Sequence, residues 1–123
     1  MGLISGLMGN AASADLGKLR EQYSQLFAEG ETLEAGFVVI RETFLFTNRR
    51  LILVDVQGVT GSKVAYLSIP YGKITKYSVE TAGMFELDAD LKIWVGSDPE
   101  PIACRFSRQV DVYALQRVLA QHA

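Results

Sequence analysis

The chain has 123 residues, 49% hydrophobic and 21% charged, proportions close to those of globular proteins and far from those of disordered ones. That length suits one domain with one core, which buries roughly 60–70% of the surface of its unfolded chain. Twelve basic residues stand against fourteen acidic ones without any run of like charge, so the broad positive field needed for non-specific nucleic-acid binding is absent.

The first residues, Met1 to Gly9, are apolar but lack a basic start and are interrupted by Gly2, Gly6 and Gly9, so they do not read as a signal peptide. Met1-Gly2 does not open a myristoylation motif either, because Gly6 stands where Ser or Thr is required. No apolar stretch approaches the ~20 residues of a membrane span. Leu16, Leu19, Tyr23, Leu26 and Phe27 recur at spacings of three and four, which predicts a helix over about 13–29, with Asp15 near its start and Gly30 as its left-handed stop.

From residue 31 the period becomes strand-like, and strands are predicted at 33–41, 43–47, 50–57, 63–69, 74–82, 87–95 and 101–107. Glycine and proline separate them: Gly58 and Gly61 bracket a hairpin tip, Pro70 and Gly72 end a strand, Ala82-Gly83 turns the chain and Gly96-Ser97-Asp98-Pro99 forms another turn. Most connections are too short for a crossover helix, so neighbouring strands should pair antiparallel. Ser107 is a candidate cap for a helix over 108–121 whose apolar residues span an arc of roughly 200°, more than one sheet requires. The predicted fold is therefore mainly β: a strongly bent seven-stranded sheet or open barrel (31–123) closed by a C-terminal amphipathic helix, preceded by an N-terminal apolar segment and helix (1–30). The surplus apolar surface makes Val110, Ala114 and Val118 candidate contacts between protomers.

Little in the sequence points to catalysis. Cys104 is the sole cysteine, so an intrachain disulfide is excluded and a reducing compartment, the cytoplasm, is expected. It falls between Ile102 and Phe106 at strand spacing and reads as a buried small hydrophobe. His122 is the sole histidine, one residue from the C-terminus, where nothing is expected to fix its ring, so no nucleophile–base pair can be assembled around it. No catalytic residue, cofactor site or metal site is predicted.

Binding is better represented. Glu86, Asp88 and Asp90 alternate along one strand face that also carries Trp94, with Glu80 as a neighbouring acid. The row lacks the glycine and distal glutamate of a calcium loop, so it reads as a solvated face or a protein-docking surface. Trp94 among charges suits an interface, or else lies beneath a loop or the N-terminal helix. The alternative surface is basic, formed by Arg49, Arg50, Lys73 and Lys76, for an anionic ligand or a membrane. An arginine pair at a strand start is more commonly just solvated.

Four segments carry a family likeness: Thr47-Asn48-Arg49-Arg50-Leu51-Ile52-Leu53-Val54-Asp55, Tyr66-Leu67-Ser68-Ile69-Pro70-Tyr71, Tyr77-Ser78-Val79-Glu80-Thr81-Ala82-Gly83 and Leu87-Asp88-Ala89-Asp90-Leu91-Lys92-Ile93-Trp94. Together they resemble the bacterial pleckstrin-homology domain family over about residues 30–121. The resemblance implies a seven-stranded bent sheet capped by a C-terminal helix and no enzyme activity. It further implies cyclic homo-oligomers, with a pentamer as the expected ring, and a hydrophilic strand surface that docks an unknown protein partner. Eukaryotic relatives hold phosphoinositides through clustered bases in the first strand-to-strand loop. Here that loop is Arg41-Glu42-Thr43, one base offset by one acid, which argues against lipid binding.

Overall fold

The computed structural model describes residues 16–39, 42–81, 89–106 and 112–123. In chain order its elements are α1 (Leu16–Gln22), β1 (Leu33–Val39), β2 (Glu42–Thr47), β3 (Arg50–Gln57), β4 (Lys63–Pro70), β5 (Ile74–Thr81), β6 (Ala89–Val95), β7 (Ile102–Phe106) and α2 (Val112–His122). Short 3-10 turns occupy Ser24–Leu26 and Tyr71–Lys73. Each expected strand is present, and the turn glycines explain the breaks: Gly58, Gly61 and Gly96 take φ of 84°, 70° and 60°, a region that disfavours any Cβ.

Neighbours pair antiparallel in two sheets, β1-β2-β3-β4 and β5-β6-β7, that do not close into a barrel. Period-two alternation sends Phe44 and Phe46 of β2, Leu51 of β3 and Ile69 of β4 inward to meet Leu91 and Ile93 of β6. Leu115 and Leu119 of α2 enter the same core, and the Tyr71 turn packs there too, so the helix closes the end of the sandwich near the β2–β3 turn.

The N-terminal helix is shorter than predicted. α1 stops at Gln22, a 3-10 turn follows, and Gly30 takes φ 81° in the turn before β1, eight residues beyond the helix. Beyond the helix the Ala28 N–H donates to the Glu31 carboxylate and the Leu26 carbonyl accepts from Arg50, bonds that hold this segment in its non-helical course. The two proposed caps, Asp15 and Ser107, lie outside the described residues.

α1 covers the outer face of the first sheet, where Leu19 joins Leu33, Leu45, Ile52 and Val54 in a second apolar cluster. Gly36 makes this approach possible, since a Cβ there would stand 2.4 Å from Leu19 Cδ1. Gly36→Val should therefore displace Leu19 and cost about 1–3 kcal/mol. Chemical denaturation checks the cost. Faster tryptic cleavage at Lys18 and Arg20 checks that α1 has come away, and unchanged cleavage would show that it has not.

Candidate functional site

The predicted acidic surface is the outer face of β5 and β6. Its cross-strand pairs are Lys76↔Trp94, Ser78↔Lys92 and Glu80↔Asp90. Two carboxylates thus stand directly opposite each other, and on its other side Asp90 faces position 105, an arginine, of β7. The Lys76 ammonium lies 4.6 Å from the centroid of the Trp94 ring, a cation–π contact that leaves the indole only partly buried. The Thr75 hydroxyl donates to the Trp94 carbonyl at 3.2 Å, fixing that strand end. Trp94 is not covered by α1, which packs on the other sheet. Glu86 and Asp88 lie outside the described residues.

One member of the basic set is committed elsewhere. Arg50 is committed to a partly buried network: its Nε donates to Glu31 Oε2 at 2.8 Å, and its two terminal nitrogens donate to Glu31 Oε1, Ser68 Oγ and the Leu26 carbonyl. Expected to be solvated, it is instead the tie between β3 and the segment that follows α1. Thr47 Oγ1 adds a 2.7 Å bond to Glu31, and these donors hold the Glu31 carboxyl down at about 2. Arg49 and Lys73 are exposed, while Lys76 serves Trp94.

His122 is also not as the sequence suggests. Its ring stacks on Tyr71 with centroids 4.8 Å apart and planes 17° off parallel, and its Nε2 lies 2.5 Å from Glu34 Oε1. Tyr71 in turn donates to the Thr47 carbonyl at 2.7 Å, and burial first, then the Glu34 and Glu31 charges, push its hydroxyl pKa up. The group fastens the end of α2 to the first sheet. Of the protomer-contact candidates, Val118 is partly buried against the core, Ala114 is half-buried and Val110 lies outside the described residues.

Cys104 has its pKa pushed up to about 12, chiefly by burial and further by Glu42 and Asp90. Its thiol stays protonated and carries no nucleophilic chemistry at neutral pH. Among the described residues no group of three or more His, Cys, Asp or Glu is placed to hold a metal ion, and no helix is long and apolar enough to cross a membrane.

Two features escaped the sequence reading. β4 ends its sheet and is exposed along its length except at Ile69, with Val64 at 38%, Tyr66 at 52% and Leu67 at 51%. Between β4 and β7 a cleft of about 260 Å³ opens at the end of the sandwich away from α2, and Glu42 and Asp55, directly opposite each other on β2 and β3, lie at its wall. The register that opposes them was available, because the two-residue Asn48-Arg49 turn sets Thr47 against Arg50 and, counting back, Glu42 against Asp55.

A four-stranded and a three-stranded antiparallel sheet, left open at one end and plugged at the other by a C-terminal helix, define a pleckstrin-homology-like domain. The sequence model described as "Bacterial PH domain" matches residues 2–123, and the chain belongs to that family. Two solved structures are similar to it. A DUF1696 family protein with a pleckstrin-homology domain from Shewanella loihica PV-4 has a TM-score of 0.80 and 42% identity, covering 87% of this chain and 92% of its own. A pleckstrin-homology domain from Shewanella amazonensis SB2B has a TM-score of 0.77 and 45% identity over 89% and 98% of the two chains. The uncharacterized protein YjqA of Bacillus subtilis is 45% identical over 121 residues, covering 98% of this chain and 97% of its own.

Proposed function

We propose that the chain is a non-enzymatic, cytoplasmic interaction scaffold that assembles into a homo-oligomeric ring and docks a protein partner on the outer face of β5 and β6. The observation that carries the reading is the placement of Glu80 directly opposite Asp90 on the strand pair that presents Trp94. Acids at these positions steer a cationic partner to this face. A partly buried indole beside them supplies apolar area of the kind that dominates binding energy. The ring is what the family resemblance implies.

Light scattering on the purified chain tests the ring, with a closed oligomer, a pentamer by preference, as the expected result and a monomer as the contrary one. Glu80→Lys combined with Asp90→Lys tests the face. Affinity capture by the wild-type chain should yield a partner that the double variant loses at least tenfold. Equal recovery by the two would remove this face from the proposal.

A further inference from the structure

The open end of the sandwich has a chemistry that the β5–β6 face does not share. Its floor is apolar, made by Phe44, Leu53, Leu67 and Ile102, and its wall carries the opposed carboxylates of Glu42 and Asp55. It is flanked by two strands, β4 and β7, that end their sheets and have no ladder partner on their outer sides among the described residues. Leu67 shares the inward face of β4 with Ile69 yet stays half-exposed, lining the cleft. On the other face of the same strand Val64 and Tyr66 are exposed.

We propose that this opening is a binding slot for an extended peptide segment of alternating basic and apolar residues, laid along the edge of β4. A strand added there runs about 4.8 Å from β4 and takes up backbone N–H and C=O groups that otherwise face solvent. Alternate side chains of such a segment face opposite ways. Those turned inward enter the cleft, where a lysine or arginine stem lies across Leu67 and Leu53 and its charge reaches Glu42 and Asp55. Those turned outward cover Val64 and Tyr66, so apolar residues belong there.

Charge decides the class of occupant. An acidic segment would bring a third negative charge to two that already oppose each other. A fully apolar one would strip water from both carboxylates and return no donor, leaving Asp55 with the Gln57 side-chain amide at 3.0 Å. A basic segment satisfies both, and the cleft volume suits one or two long side chains and not a folded element. Partial desolvation, then the neighbouring Asp55 charge, raises the Glu42 carboxyl pKa.

The test uses the full chain and a fluorescein-labelled octapeptide of alternating Val and Lys, read by fluorescence anisotropy, with a Val/Glu octapeptide as control. Saturable binding of the Lys peptide, at least tenfold tighter than the Glu peptide and weakening with salt, is the expected result. Glu42→Gln with Asp55→Asn should reduce it tenfold or more while leaving the domain folded and its melting temperature equal or higher. Ala65→Trp, which fills the slot beside β4, should abolish it. Equal binding of the Glu peptide, or unchanged binding by the charge-neutral variant, overturns the proposal. So does saturation of the cleft by hexylamine when the peptide fails to bind, which makes the occupant a small amine. An oligomer that dissociates on Leu67→Glu and ignores the peptide also overturns it, by assigning the edge to a second copy of the chain. Glu80→Lys with Asp90→Lys should leave peptide binding within twofold of wild type, which keeps this slot and the β5–β6 face separately testable.

Discussion

Arg50→Ala is expected to lower the free energy of unfolding by about 3–5 kcal/mol, the cost of leaving a buried charge without its counterion. The Glu31 side chain is 1% exposed and would keep only the Ala28 N–H and the Thr47 hydroxyl as donors. The Leu26 carbonyl would lose its Arg50 donor as well. Urea denaturation followed by circular dichroism measures the loss as a lower midpoint, and a shift under 1 kcal/mol would show the tie to be dispensable. The same pair sets an acid limit. Glu31 titrates at about 2 when folded against 4.5 ordinarily, first through the Arg50 hydrogen bond. A lowered folded-state pKa contributes stability above the ordinary value and loses it as pH falls. The wild-type midpoint should therefore drop between pH 4.5 and about 2, and Glu31→Gln should flatten that dependence.

Leu115→Ala should cost about 2–5 kcal/mol, because the leucine is fully buried where α2 enters the core between the sheets and the rigid sheet walls cannot collapse onto the space it leaves. Gln121, later on the same helix and exposed, supplies the control: its replacement by Ala should stay within about 0.5 kcal/mol. Thermal melts of the two variants side by side distinguish loss of packing from a general intolerance of α2 to substitution. Equal melting temperatures would contradict the placement of the helix in the core.

The strands were legible because their signals are local. Alternation in Leu91, Ile93 and Val95 and glycines that must take positive φ can be read without knowing what lies across the sheet. The features that were missed depend on residues distant in sequence. Helical spacing continues through Leu26 and Phe27, but the helix ends at Gln22, and the segment beyond it is held by Arg50, 24 residues on from Leu26, which donates to the Leu26 carbonyl. His122 looked unanchored at the chain end, yet its partner Glu34 lies 88 residues away. Asp90 was singled out from alternation alone, whereas the Glu80–Asp90 and Glu42–Asp55 oppositions exist only once strands are in register. In the second case the short turn supplied that register, and the signal went unused because neither acid stood in a cluster.

The wetness of β4 on both faces also has a consequence for how the molecule breathes. The strand is held by its ladder to β3 and by Ile69 near one end, with little apolar area to resist separation. Openings of least free energy should start there, from the Gly58–Gly61 tip, without disturbing the core around Leu115. Amide hydrogens of β4 that bond to β3 should exchange with solvent well before those of β2 or β6. A molecule seated along its edge would slow that exchange first, so protection at β4 reports occupancy even when nothing else in the domain moves.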